Sequence, residues 1–140
     1  MRKKPYEIIE HTADFGIRVR GKYLEDLFVN AAKSLFQIIA ERKSSKAGRD
    51  KRLRIKISAE DSEELFINWL NELLSLSAVK GLIFNHFKIN KLESCVLQAQ
   101  VSGSSVDNYR INTEVKAATY HKLKIEKGVS GWQAEVIFDV

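Results

Sequence analysis

Apolar residues in this chain recur at every second position in run after run, and only two stretches switch to a period near 3.6. That pattern confines the chain to half-buried strands covered by two helices. Period-two runs occupy residues 6–9, 15–19, 52–58, 83–89, 92–101, 109–115, 120–125 and 132–138. Turn-rich Asn90-Lys91, residues 102–107 and residues 127–131 divide the later ones. Between residue 22 and about residue 41, Leu24, Leu27, Phe28, Ala31, Ala32, Leu35 and Ile38 hold one helical face, with Glu25 and Asp26 in the first turn. Residues 42–51 are polar and predict a loop. The second helix is better marked. Asp61 and Glu64 fit a capping box, Leu65, Phe66, Trp69, Leu70, Leu73 and Leu74 make its apolar stripe, and Gly81 is its stop. Each helix needs a sheet face to cover, which predicts an α+β fold: one domain over residues 1–140, mainly antiparallel β-sheets packed with two amphipathic helices.

At 140 residues and 44% hydrophobic content the chain can bury a core without staples. Its single cysteine, Cys95, lies in the alternating run Ser94-Cys95-Val96-Leu97 and excludes an intramolecular disulfide. Met1-Arg2-Lys3-Lys4-Pro5 is basic but has no apolar h-region, and no stretch is long enough to span a bilayer. A cytoplasmic protein with no membrane contact is expected. The net charge of +5 favours anionic partners. The run Lys43, Lys46, Arg49, Lys51, Arg52 and Arg54 could follow an RNA backbone, although no aromatic residues interleave with it for base stacking.

Chemistry concentrates at the two ends. In the first, His11-Thr12-Ala13-Asp14 precedes a run that sends Phe15, Ile17 and Val19 to one face and leaves Asp14, Gly16, Arg18 and Arg20 on the other. In the second, Trp132, Ala134, Val136 and Phe138 form the core row, so Asp139 shares a face with Gln133, Glu135 and Ile137. If these strands are neighbours, oxygens of Asp14, Asp139 and the Val140 α-carboxylate meet at one sheet end. Two carboxylates ~5 Å apart at an effective dielectric of ~20 repel by roughly 3 kcal/mol, so such a cluster calls for a cation or a proton. Arg18 lies about 13 Å along the strand from Asp14, which is awkward for direct pairing. An all-oxygen donor set favours calcium or magnesium over zinc.

The chain resembles the archease family. The resemblance rests on His11-Thr12-Ala13-Asp14, Tyr23-Leu24-Glu25-Asp26-Leu27-Phe28 with Ala31-Ala32, and Trp69-Leu70-Asn71-Glu72-Leu73-Leu74. Glu114-Val115-Lys116-Ala117-Ala118-Thr119-Tyr120-His121 and the closing Ile137-Phe138-Asp139-Val140 complete it, in the family's order. It implies an accessory protein that promotes guanylylation and turnover of an RtcB-type RNA ligase in tRNA splicing and RNA repair, with no catalysis of its own. It also implies a divalent cation on Asp14, Asp139 and Val140, calcium ahead of magnesium or manganese. Phe15, Ala118 and Val140 depart from the family's usual residues, and none of these changes removes an oxygen ligand. Within the blocks that carry the resemblance, Lys116, Glu72 and His121 are the candidates for touching the ligase, with RNA touched weakly or through the ligase.

Two other readings compete. A small metal-dependent hydrolase or nuclease would use the carboxylates for the metal and His11 as proton acceptor. A plain RNA-binding module would use the basic surface. Neither His11 nor His121 has a serine, cysteine or second acid at a spacing that makes a nucleophile system, so no catalytic residue is assigned. Phosphate-binding glycine loops, paired-cysteine metal motifs and serine-hydrolase elbows are likewise missing from the sequence.

Overall fold

A computed structural model describes residues 6–10, 14–43 and 50–140. Along them run β1 (Tyr6–Glu10), β2 (Asp14–Gly21), α1 (Leu24–Ile39), β3 (Ala40–Arg42), β4 (Lys51–Ser58), α2 (Ser62–Lys80), β5 (Leu82–Glu93), β6 (Val96–Ser105), the 3-10 turn Val106–Asn108, β7 (Tyr109–Ile111), β8 (Ala117–Gly128) and β9 (Gly131–Asp139). The strands form a four-stranded sheet ordered β1-β2-β9-β8, a three-stranded sheet ordered β4-β6-β5 and the small pair β3-β7. All pairings are antiparallel. The α+β expectation holds.

The helices form the middle layer. Helix α1 packs on β2 of one sheet and β5 of the other, and α2 packs on β8, β4 and β5. Contact on both sides explains why Ile67 of α2 is buried as well as the stripe read from the sequence. Phe28 and Phe66 meet edge-on between the helices at 5.1 Å, while Phe36 and Trp69 reach Phe87 of β5. The Trp69 indole donates to the Phe28 carbonyl at 2.9 Å, satisfying the one polar atom of a fully buried ring. Truncating such a residue costs about 3–5 kcal/mol. At the start of α2, Asp61 accepts from the Glu64 amide at 2.8 Å, and Glu64 reaches back to the Glu60 amide. Gly81 ends the helix in the left-handed region, at φ 65°.

Several boundaries differ from the sequence reading. Helix α1 stops at Ile39 because Ala40, Glu41 and Arg42 pair with Ile111, Arg110 and Tyr109. That pairing is long-range and no glycine announces it. Strand β7 ends at Ile111, not at residue 115, since the amides of Asn112 and Thr113 turn to the Ile39 carbonyl. Asn90 is not a turn but a bulge inside β5. The chain instead reverses at Ser94 and Cys95, whose φ values of 52° and 59° make a two-residue hairpin between Glu93 and Val96. Strand β6 extends to Ser105, with Gly103 packed so closely on the Ile83 backbone that a Cβ has no room. The turn expected over residues 127–131 shrinks to Val129 and Ser130 between paired Gly128 and Gly131.

Candidate functional site

The two end segments are neighbouring strands. Phe15, Ile17 and Val19 of β2 stand opposite Phe138, Val136 and Ala134 of β9 on the core face, where Phe15 and Phe138 stack at 5.3 Å. On the outer face Asp14 is directly opposite Asp139, which in turn faces Ala117 of β8. Directly opposed residues have Cβ atoms about 5 Å apart. The Oδ1 atom of Asp14 is shielded from solvent, whereas Asp139 and Val140 are exposed. The Lys116 amide donates to the Asp139 carbonyl at 2.9 Å and extends the strand pairing to the sheet end.

The next row inward separates this acidic pair from the charged rows beyond it. Ile9, Gly16, Ile137 and Thr119 lie side by side across the four strands. Ile137 is buried although it points away from the helices, a departure from the wet face that alternation implies. A Cβ on Gly16 would sit 3.4 Å from both Ile137 Cγ1 and Ile9 Cβ, so the two isoleucines close over the glycine. Thr119 Oγ1 donates to the Ile137 carbonyl at 2.9 Å and anchors the row on β8.

Beyond it lies a row of Glu7, Arg18, Glu135 and Lys124. Arg18 Nε donates to Glu135 Oε1 at 2.7 Å and Nη1 to Glu7 Oε2 at 2.9 Å. The hydrogen bond and charge of Glu135, then those of Glu7, hold the Arg18 guanidinium even further above neutrality than usual. Arg18 is thus committed away from Asp14, as the strand spacing predicts.

The remaining candidates flank this end on the β8 side. Lys116 is exposed and bonded through its backbone to Asp139. Glu72 is half-buried on α2, beside Asn71, whose side chain bonds the backbone of Ala118. His121 is exposed in a bulge of β8 where residues 120–123 oppose Val136 alone. Its amide donates to Thr119 Oγ1 at 3.3 Å. In the same bulge the Tyr120 phenol is pushed above its ordinary range by loss of hydration and by the carboxylates of Glu64, Asp61 and Glu63. Sequence reasoning passed over Asn71 and Thr119. A polar residue set among Trp69, Leu70, Leu73 and Leu74 was the available signal for Asn71. His11, Thr12 and Ala13, together with Lys46 and Arg49, lie outside the described residues.

Chemically, the acidic row offers oxygen donors alone. Among the described residues no three His, Cys, Asp or Glu side chains gather at metal-holding distance. Carboxylate oxygens such as those of Asp14 and Asp139 are the donor type that a hard ion such as calcium takes. No helix among the described residues is long and apolar enough to cross a membrane.

Fold and site together define a class: an α+β protein with helices held between two sheets and a carboxylate pair at one sheet end. The chain belongs to the archease family, matching the Archease protein family (MTH1598/TM1083) over residues 6–140. It is 35% identical to Protein archease of Methanosarcina barkeri, over 98% of this chain and 97% of that one. It is 38% identical to Protein archease of Pyrococcus abyssi, over 98% and 99%. Among solved structures it is similar to the solution structure of Methanobacterium thermoautotrophicum protein 1598, with a TM-score of 0.73, 28% identity and coverage of 99% of this chain and 100% of that one. It is also similar to a Thermotoga maritima crystal structure described as an archease, possible chaperone, with a TM-score of 0.65, 26% identity and coverage of 100% and 98%.

Proposed function

We propose that this chain is an accessory protein that activates an RtcB-type RNA ligase, promoting guanylylation and turnover of the ligase in tRNA splicing and RNA repair, and that it has no catalytic activity of its own. Membership of the archease family supports the accessory role. The observation that carries the reading is the register that sets Asp14 opposite Asp139, with Val140 next in the chain. In this reading Asp14, Asp139 and the Val140 carboxylate hold one divalent cation, calcium ahead of magnesium or manganese. The bound ion would supply concentrated positive charge, able to bridge the factor to an anionic group at the ligase.

The chain's own residues set that end in place. The Ile9, Gly16, Ile137 and Thr119 row keeps the Arg18 guanidinium from approaching the acidic pair, and the Lys116 bond fixes the strand end at Asp139. Lys116, Glu72 and His121 are the side chains proposed to contact the ligase. The test is ligase guanylylation at limiting ligase, with wild type, Asp139→Ala and Lys116→Ala. Wild type should stimulate, Asp139→Ala should not, and Lys116→Ala should stimulate weakly. Full stimulation by Asp139→Ala removes the carboxylate end from the mechanism.

A further inference from the structure

The solvent face of the three-stranded sheet is a second, oppositely charged surface. Strand β4 presents Arg52, Arg54 and Lys56 at successive outward positions. Across the central strand β6, they line up through Ser102, Gln100 and Gln98 with His86, Lys88 and Lys91 of β5. The bulge at Asn90 matters here. Lys88 and Lys91 are three apart in sequence and would face opposite ways in a regular strand, but the extra residue returns Lys91 to the outer face.

The result is two cationic rows flanking a neutral row rich in amide and hydroxyl groups. Outward positions on one strand are about 6.6 Å apart, and the flanking rows are about 10 Å apart. Shallow hollows of about 270 and 490 Å³ lie along it, the first between Arg52, His86 and Lys88 and the second between Arg54, Lys56 and Gln98. Elsewhere among the described residues some cations are paired, Arg18 and Arg20 with Glu7 and Arg110 with Glu41, while others such as Lys33 and Lys124 are not, so it is the ordered spacing of the cations that sets this face apart. On this face, among the described residues, Lys91 is the one cation in an ion pair, with Glu93 at 3.6 Å. Among the described residues no ion pair involves Arg52, Arg54, Lys56 or Lys88.

We infer that this face binds the backbone of double-helical RNA. Unneutralised cations in ordered rows suit a polyanion, whose release of counterions drives association. The half-buried Gln98 and Gln100 add no charge and can bond phosphate oxygens and 2′-hydroxyls, while Ser102 beside them is buried. No Phe, Tyr or Trp points outward on these strands to stack on an unpaired base, so the geometry favours a paired RNA over a single strand. The minor groove of A-form RNA is wide and shallow, so its 2′-hydroxyls and flanking phosphates are within reach of side chains on a sheet face. The assignment is independent of the ligase reading, since it uses another face and is tested without ligase.

The probe is a fluorescent RNA duplex, with a single strand and a DNA duplex of the same sequence as comparisons, titrated by anisotropy over a series of salt concentrations. Wild type should bind the RNA duplex most tightly. Arg54→Gln/Lys88→Gln should weaken that binding at least tenfold and flatten the slope of log K against log salt by about 2, the loss expected for two phosphate contacts. Both side chains are exposed, so circular dichroism should be unchanged. Arg110→Gln, at the separate β3-β7 pair, should bind as wild type. Equal affinity of wild type and the double variant overturns the inference, as does tighter binding of the single strand than of the duplex.

Discussion

Asn71 of α2 exchanges two hydrogen bonds with the backbone of Ala118 in β8: its Oδ1 accepts from the Ala118 amide at 2.7 Å and its Nδ2 donates to the Ala118 carbonyl at 3.2 Å. A side-chain amide here occupies the place of a neighbouring strand. Asn71→Ala leaves both backbone groups without their partner and should cost about 2 kcal/mol. Urea unfolding checks the figure, and a midpoint unmoved from wild type would show that water replaces the amide at no cost.

Cation binding should appear as stabilisation. Calcium at a hundred times its dissociation constant should stabilise the wild type by about 2.7 kcal/mol in thermal melting, and Asp139→Asn should not respond. In chelator Asp139→Asn should melt at or above wild type, because removing one of two directly opposed like charges relieves repulsion. A wild type that melts identically in calcium and in chelator contradicts the metal proposal.

Glu41 supplies a pH-dependent term. Its hydrogen bond from Asn112, then the hydrogen bond and charge of Arg110, hold its carboxyl below the ordinary value of 4.5. A lowered carboxyl contributes stability that is fully present above that ordinary value and is lost as pH falls through the lower folded value. Glu41→Gln should therefore flatten the acid limb of a stability–pH curve and leave its neutral slope unchanged. The amplitude should be small, since both partners are exposed. An acid limb as steep as wild type's would contradict the assignment.

The β5-β6 hairpin turns through two non-glycine residues with positive φ, Ser94 and Cys95. Replacing them with Asn-Gly, the pair this turn prefers, should stabilise the chain by about 1 kcal/mol. Little is lost in exchange, because Cys95 Sγ reaches only the Glu60 carbonyl, at 3.9 Å. Differential scanning calorimetry checks the sign.

What alternation alone determines was legible. The Phe15, Ile17 and Val19 row, the Trp132 to Phe138 row and the α2 stripe all sit where their periods place them. So does the meeting of Asp14 and Asp139, since two strands with core faces known can share an edge in few ways. What escaped depends on contacts distant in sequence. Ala40 continues a helical pattern and becomes a strand because Ile111 is there to pair with it. Ile137 has the parity of a surface residue and is buried because Gly16 lets the isoleucines close together. The cations of β5 share a face with those of β4 through a bulge that the pair Asn90-Lys91 advertised only as a turn. The β8 bulge did leave a trace, since Ala118 and Tyr120 are even-numbered whereas the inward Leu123 and Ile125 are odd.

That change of parity limits how the family can vary. Between the pairs Thr119–Ile137 and Lys124–Glu135, β8 advances five positions while β9 advances two. The three surplus residues are an odd number, so the bulge reverses which side of the sheet each later residue faces. Descendants of this sequence could lengthen or shorten the protrusion around His121 two residues at a time and keep Ile125 indoors. A single-residue insertion would turn Ile125 outward and carry Lys124 and Glu126 toward the helices. Loop length at this spot should drift by even steps, a rule imposed by the pleat of the sheet and blind to whatever the protrusion touches.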